Sequence, residues 1–354
     1  ILIIGLGWAS AAFIKNIDTD KFNVEVFSID GKFIYTPLLA QNVKQNVKLV
    51  LDGKDINDKV TFKNKEIVSV DFINNEIISK NSDKTKYDYL VLSHGSSVNT
   101  FDIPGVSENC FFLKDDKHAN MLREKIKLLP QHSHIAVIGC GLTGTELIGS
   151  ILDYDKFQIH AIDSLPRPVS IFNESLSNYV LQTWKNNQIN TYMNHMVSSI
   201  DDKKISFINK VSIPYDIVIW CGGIKKSHLT ETILSLLNIQ HNKGIPTDGR
   251  MKVTNTKNVY ALGDCAYSGL PPTAQVASQQ GEYLARTFNQ VELGNTKSFI
   301  FQYLYKGQIG YIGKKQSIYQ NGGFKISGNL TYYMNQYIHF YNAINWKQRW
   351  EMIK

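Results

Sequence analysis

The phosphate-binding glycine signature occurs twice in this chain, at Gly5-Leu6-Gly7-Trp8-Ala9-Ser10 and at Gly139-Cys140-Gly141-Leu142-Thr143-Gly144. Each copy follows a run of branched apolar residues, Ile1 to Ile4 and Ile135 to Ile138. Runs without an alternating polar face read as buried parallel strands. Glycines at this spacing let the backbone turn tightly from strand into helix, so that a pyrophosphate can rest on unpaired N–H groups at the positive helix end. Two such sites imply two dinucleotides.

A glycine signature alone is weak, and the physical rule also asks for an acid about 20 positions on, where it can accept from a ribose hydroxyl. Both copies offer one: the strand from Val24 to Ile29 runs into Asp30, and that from Phe157 to Ile162 runs into Asp163. Each copy then proceeds through a predicted β-meander to a similar phrase, Tyr87-Asp88-Tyr89-Leu90-Val91-Leu92 before Gly95 and Tyr215-Asp216-Ile217-Val218-Ile219-Trp220 before Gly222-Gly223. Beyond both lies a third short apolar run, Asn258-Val259-Tyr260-Ala261-Leu262, ending in Gly263-Asp264. A return strand this late predicts an insertion. Residues 1–112 and 245–292 form one Rossmann-like domain, 113–244 are inserted as a second, and 293–354 form a C-terminal region, an α/β fold throughout.

With 354 residues and 43% apolar content, the chain can bury two cores. The 38 basic and 31 acidic residues, a net +7, are too dispersed for a nucleic-acid protein and lean toward anionic cofactors or an anionic membrane surface. Cys110, Cys140, Cys221 and Cys265 form no CxxC or CxxxxC pair, so no zinc site or dithiol centre is expected. His132 and His134 lack a partner at metal spacing, and no metal is predicted. No apolar run approaches the roughly 20 residues of a spanning helix, so membrane contact is expected to be peripheral. The chain begins at Ile1 inside the first strand, so any targeting segment has been cut away and the compartment is not legible there.

The order of a first glycine loop, an inserted second loop and a strand ending in Gly-Asp resembles the two-dinucleotide-binding-domain flavoproteins. One branch fits best. Thr36-Pro37-Leu38-Leu39, the stretch from Asn99 to Val106, and Gly269-Leu270-Pro271-Pro272-Thr273-Ala274-Gln275-Val276-Ala277 resemble type II NADH:quinone oxidoreductases. So do Phe301-Gln302-Tyr303 and Gly310-Tyr311-Ile312-Gly313. The resemblance implies FAD in the first site, NADH in the second, a quinone as acceptor and no proton pumping. It also implies a peripheral protein of the mitochondrial inner membrane or the cytoplasmic membrane face, with a homodimer as one assembly.

By the same resemblance, Gly5, Gly7 and Ser10 face the FAD pyrophosphate, with Asp30, Thr36, Pro37, Gly95, Gly263, Asp264, Thr273, Ala274 and Gln275 around the rest of that cofactor. Asp264 binds a ribityl hydroxyl. Gly139, Gly141, Thr143 and Gly144 face the NADH pyrophosphate, Gly222 and Gly223 lie alongside, and Asp163 holds the adenosine ribose. A carboxylate there repels the 2′-phosphate of NADPH, while Arg167 close behind offers a countercharge. Glu146 corresponds to an acid near the nicotinamide, or else is an ordinary helix residue near the positive dipole end. Pro271-Pro272-Thr273 reads as a helix start, and Gln275 and Gln279 share one face of that helix, matching the family's quinone-pocket pattern.

In the last 25 residues, Tyr332, Tyr333, Tyr337, Phe340, Tyr341, Trp346 and Trp350, with Lys347 and Arg349 among them, suit a membrane interface. Some positions depart from the family. Ser10 replaces the third glycine, which predicts a wider helix–strand spacing, Asp30 falls late, Cys221-Gly222-Gly223 is unusual, and the stretch after Leu39 reads as a polar loop that has lost part of the quinone pocket. Other readings are a sulfide:quinone reductase, a flavoprotein reductase acting on oxygen or ferredoxin, and a non-catalytic dinucleotide-binding redox sensor.

Overall fold

The run Ile1 to Ile4 becomes the strand Leu2–Ile4, buried on both faces between the parallel strands Glu25–Ser28 and Leu90–Leu92. Thr61–Asn64 and the late strand Val259–Ala261 form the edges, giving a five-stranded parallel sheet. The run Ile135 to Ile138 does the same: His134–Ile138 is central, between Gln158–Ile162 and Ile217–Trp220, with Asn190–Tyr192 and Phe111–Phe112 at the edges. Strands buried on both faces need the continuous Val/Ile/Leu runs seen here. The computed structural model describes residues 1–291 and 300–353, apart from the side chains of 291, 347 and 351–353.

The two sheets belong to two compact units, Ile1–Ile34, Val50–Ser97 and Ile224–Leu304 in one, and Tyr35–Leu49, Val98–Gly223 and Tyr305–Lys354 in the other. Both expected meanders are present. Ile67–Asp71, Glu76–Ser79 and Lys84–Lys86 form an antiparallel sheet in the first unit, and Val197–Ile200, Lys204–Phe207 and Ser212–Pro214 in the second.

In the first unit, the Ala-rich helix Trp8–Asn16 packs on the long helix Ala274–Val291 at backbone distance. A Cβ on Gly281 would lie 2.1 Å from the Ala9 carbonyl oxygen, so only glycine permits this approach. Phe288 then receives the rings of Phe13, Phe22, Tyr89 and Tyr260 edge-on at 5.0–6.0 Å. Edge-to-face pairs of this kind each add about 0.5–1.5 kcal/mol beyond area burial.

In the second unit, the stretch after Leu39 is not a loop: Leu39–Gln45 is a helix ending on left-handed Asn46, with Gln41 and Asn42 buried. The polar composition hid it, because its amides face inward. Asn42 accepts from the Val47 N–H at 2.5 Å, and its carbonyl accepts from the buried Arg123 at 2.9 Å. A three-stranded antiparallel sheet, Gln308–Gly313, Gln316–Asn321 and Phe324–Gly328, packs against the helix Leu142–Leu152. The contact is glycine on glycine, since a Cβ on Gly149 would lie 2.5 Å from the Gly313 nitrogen.

The helices Asn329–Asn342 and Trp346–Ile353 close the described chain, and the first is inside out. It buries Thr331, Asn335 and His339 while Leu330, Tyr333, Tyr337 and Tyr341 are 63–72% exposed. His339 Nδ1 and carbonyl lie 3.3 Å from the buried Tyr35 hydroxyl. No described helix is long and apolar enough to cross a membrane.

Candidate dinucleotide sites

Each glycine loop is shaped by the strand end beside it. Gly5 and Gly139 have φ of +98° and +95°, and a Cβ on either would collide with backbone, at 2.5 Å from the Ser93 carbonyl oxygen and 2.7 Å from the Cys221 carbonyl carbon. Both positions therefore require glycine, by conformation and by space. The second glycines, Gly7 and Gly141, differ: a Cβ there would meet nothing within 4 Å. Each is the N-cap of its helix and makes no side-chain cap bond. Two helix N-termini with free backbone space in front fit pyrophosphate groups held on N–H donors and by the helix dipole.

The third positions diverge. A Cβ on Gly144 would lie 1.9 Å from the Gly139 carbonyl oxygen. At the matching place Ser10 is fully buried and its hydroxyl donates to the Gly5 carbonyl at 2.7 Å, with the Ser93 hydroxyl 2.5 Å away. Serine is accommodated as an internal bridge between loop and helix.

Register separates the two expected ribose acids. The Gly5 amide bonds to the Phe27 carbonyl and the Gly139 amide to the Ile162 carbonyl, so Ser28 is the counterpart of Asp163. Asp30 lies two residues later, exposed, with Oδ1 accepting from the Lys32 N–H at 3.1 Å. Asp163 is buried beside the second loop, where its carboxylate accepts from the Cys140 N–H at 2.6 Å and the Leu165 N–H at 2.8 Å.

Around the first loop, Gly95 has φ of +73° with open space before it, and Asp264 accepts from the Ser96 hydroxyl at 3.1 Å. The Gly263 turn is held by Gln280, a buried residue that the sequence did not single out: its amide oxygen accepts from Gly263 N–H at 2.7 Å and its amide nitrogen donates to Ser268 at 3.0 Å. A side chain one position from an expected site residue carried no separate signal. His94 adjoins Gly95 in the chain. Its Nε2 lies 2.9 Å from Thr230, and burial pushes its pKa down to about 4, so it is neutral near pH 7.

Thr273 caps the helix that starts at Ala274, accepting from the Val276 N–H at 3.2 Å. Gln275 accepts from the Tyr303 hydroxyl at 2.9 Å, and Gln279 exchanges two 2.9 Å bonds with the backbone of Leu304. These two glutamines fasten residues 303–304 to the helix. Thr36 and Pro37 form a 3₁₀ turn in the second unit rather than the first.

In the second unit, Gly222 and Gly223 follow the strand end that presses on Gly139, and Gly223 has φ of +87° under the Phe101 ring. Thr143 lies in the first turn of the helix Leu142–Leu152, and Glu146 lies one turn further on, fully desolvated. Burial raises the Glu146 pKa to about 8, against a small opposing effect of the Tyr311 N–H at 3.4 Å. Glu146 is therefore mostly protonated at neutral pH. Burial also pushes Cys110, Cys221 and Cys265 up to about 12 and Cys140 well above the usual thiol value, so none is a ready thiolate. Among the described residues, no group of three or more His, Cys, Asp or Glu could hold a metal ion.

The sequence profile of the pyridine nucleotide-disulphide oxidoreductase family matches residues 1–281. The chain belongs to that family. Within it, a protein of Dictyostelium discoideum named as a probable NADH dehydrogenase is 30% identical, over 94% of this chain and 83% of its own length. A probable mitochondrial NADH-ubiquinone oxidoreductase of Schizosaccharomyces pombe is 28% identical, over 90% of this chain and 73% of its own length. The solved structure of NDH2 from Plasmodium falciparum in complex with NADH superposes with a TM-score of 0.91 at 21% identity, covering 99% of this chain and 96% of that one. The sulfide:quinone oxidoreductase of Aquifex aeolicus superposes with a TM-score of 0.82 at 17% identity, covering 99% and 91%. These last two establish the fold, and the resemblance to type II NADH:quinone oxidoreductases inferred from the motifs holds.

Proposed function

We propose that this chain is a non-proton-pumping NADH:quinone oxidoreductase, in which bound FAD would link the two-electron oxidation of NADH to reduction of a quinone to the quinol, one proton equivalent coming with the hydride and the other from solvent. The observation that carries this reading is the pair of uncapped glycine loops on two sheets that share the order of four strands and differ in one edge strand, in a chain whose relatives are named NADH dehydrogenase and NADH-ubiquinone oxidoreductase. FAD supplies the change from a two-electron hydride donor to a quinone acceptor, and the protein supplies binding, orientation and electrostatics. The four cysteines are all free and none is paired with another, which favours this activity over a sulfide-oxidising relative working through a cysteine pair.

In this reading residues 1–112 and 245–292 serve FAD, 113–244 serve NADH, and 293–354 serve the quinone and the membrane; residues 292–299, around one of these boundaries, lie outside those described. Gly5, Gly7 and Ser10 hold the FAD pyrophosphate, Asp264 its ribityl chain, and Thr36, Pro37, Gly95, Gly263, Thr273 and Ala274 its remaining edges. Gly139, Gly141, Thr143 and Gly144 hold the NADH pyrophosphate, beside Gly222 and Gly223, and Asp163 the adenosine ribose. Glu146 acts near the nicotinamide as a neutral acid. Gln275 and Gln279 act at the quinone site through their grip on Tyr303 and Leu304.

The exposed stripe Leu330, Tyr333, Tyr337 and Tyr341, continued by Trp346 and Trp350, supports a peripheral seat on a membrane, mitochondrial by analogy with the relatives. Arg349 lies 4.8 Å from the Trp346 ring centroid and 5.6 Å from that of Phe340, a cation held at an aromatic surface. A homodimer formed through other surfaces is compatible with this seat.

The deciding experiment is an anaerobic visible spectrum of the purified protein with NADH and then a short-chain quinone. Flavin absorbance should bleach with NADH and return with quinone. Flavin that bleaches but does not recover would sink quinone as the acceptor. Replacing Gln275 and Gln279 together by Ala should raise the quinone KM and spare flavin reduction by NADH.

A further inference from the structure

Arg167 was a candidate partner for a 2′-phosphate, but its guanidinium is committed elsewhere. One terminal nitrogen donates to the Phe172 carbonyl at 2.9 Å and to the Ser177 hydroxyl at 2.6 Å, and the other donates to the Ser170 carbonyl at 3.1 Å. The Ser177 hydroxyl in turn donates to the Pro168 carbonyl at 2.8 Å. The rigid fork of one arginine thus closes the segment 168–172 onto the helix Glu174–Asn186.

Inside that closed segment sits Val169, fully buried, with φ of +42°. A β-branched residue in the left-handed region is a genuine outlier, and such strain persists only where the surroundings over-determine it. The strained conformation aims the Val169 N–H at the Cys140 carbonyl, 2.8 Å away. On the other side of the same residue, the Asp163 carboxylate accepts from the Cys140 N–H. Both backbone groups of the residue between Gly139 and Gly141 are therefore held by the stretch 163–172, with Thr145 adding a 3.1 Å bond to the carbonyl.

We propose that Arg167 is a positioning residue for the nicotinamide dinucleotide: it fixes the Pro168–Phe172 turn so that Val169 and Asp163 hold the phosphate-binding loop open at Cys140, and it is not a 2′-phosphate reader. The proposal rests on the assignment of NADH to the second loop. A loop pinned before the ligand arrives loses no ordering entropy on binding, so the effect belongs to affinity rather than to the rate of hydride transfer. Because three of its five N–H donors are spent on neutral acceptors, the guanidinium is held away from the role of a bidentate phosphate clamp, and the Asp163 carboxylate disfavours a 2′-phosphate.

The test compares the FAD-loaded wild type with Arg167→Ala, Arg167→Lys and Ser177→Ala. NAD⁺ and NADP⁺ binding are followed by titration calorimetry and flavin reduction by stopped flow. Both Arg167 variants should weaken NAD⁺ about tenfold, the scale set by losing hydrogen bonds to a charged group. Flavin content and the limiting rate of flavin reduction at saturating NADH should stay unchanged, and Ser177→Ala should show a smaller loss in the same direction. Lysine keeps the charge but cannot form the fork, so a wild-type affinity in Arg167→Lys would overturn the clamp in favour of long-range attraction. A loss confined to NADP⁺ would overturn it in favour of phosphate reading. Unchanged NAD⁺ affinity in Ser177→Ala and Arg167→Ala would overturn it outright. A wild type that binds FAD but no NAD⁺ would overturn the assignment of the second loop, and the proposal with it.

Discussion

Ser28 holds in the first sheet the register that Asp163 holds in the second, each one residue past the strand carbonyl that receives the leading glycine's amide. A hydroxyl and a carboxylate at equivalent places give the two loops different ribose chemistry. Asp30 lies two residues beyond that register and is exposed.

From this, Asp30→Asn should leave the flavin content of the purified protein at the wild-type level, measured as the ratio of visible to ultraviolet absorbance after gel filtration. Asp163→Asn should weaken NAD⁺ about tenfold or more, because a neutral amide replaces an acceptor that serves both loop and ribose. Loss of flavin in Asp30→Asn would restore that residue to the site.

The third glycine positions should respond in opposite ways to exchange. Gly144→Ser puts a Cβ within 1.9 Å of a carbonyl oxygen and should cost several kcal/mol, in the range of overpacked cores, or prevent folding. Ser10→Gly removes the hydroxyl's two internal hydrogen bonds and adds helix-interior freedom, a loss of about 1–3 kcal/mol. Urea unfolding of both variants measures this, and equal losses would mean that the two loops are packed alike.

Glu146 gives a pH signature. With its pKa raised from about 4.5 unfolded to about 8 folded, the native chain binds an extra proton across that window. Its stabilising contribution is full below pH 4.5 and is lost as pH rises through 8, a slope of up to about 1.4 kcal/mol per pH unit. Glu146→Gln should flatten the decline in urea stability between pH 6 and 8 in nucleotide-free protein. An unchanged decline would assign the slope to other groups.

The inside-out helix predicts membrane attachment through one stripe. Leu330→Glu with Tyr337→Glu should reduce co-sedimentation with anionic phospholipid vesicles while leaving thermal stability near wild type, since both residues are largely exposed. A drop in stability without a change in vesicle binding would show that these residues serve the protein interior.

Much of this was legible because it is local. The apolar runs before Gly5 and Gly139, the two meanders and the return strand Val259–Ala261 each follow from periodicity and glycine placement, and the sheets contain them. The helix Leu39–Gln45 was not legible, because its amides are buried by partners distant in sequence, such as Arg123. The offset of Asp30 from the register of Asp163 was not legible for a similar reason: spacing counts residues, whereas register depends on which carbonyl the Gly5 amide finds. The role of Gln280 depends on Gly263 and Ser268, more than ten residues away, whereas Arg167 folds back on Ser170, Phe172 and Ser177, close in sequence but in a turn that no repeating pattern announces.

The meeting of Gly149 with Gly313 bears on how this chain can drift. Gly149 cannot acquire even a methyl group while the strand stays where it is, and Gly313, whose Cβ would sit 3.0 Å from the Gly149 Cα, is restricted chiefly by its φ of +99°. Single substitutions at either site are therefore dead ends, and a compensating change elsewhere cannot rescue them without moving a helix whose opposite end faces the phosphate site. The two positions are expected to stay frozen through long divergence, while the exposed residues of Phe324–Gly328 vary around them.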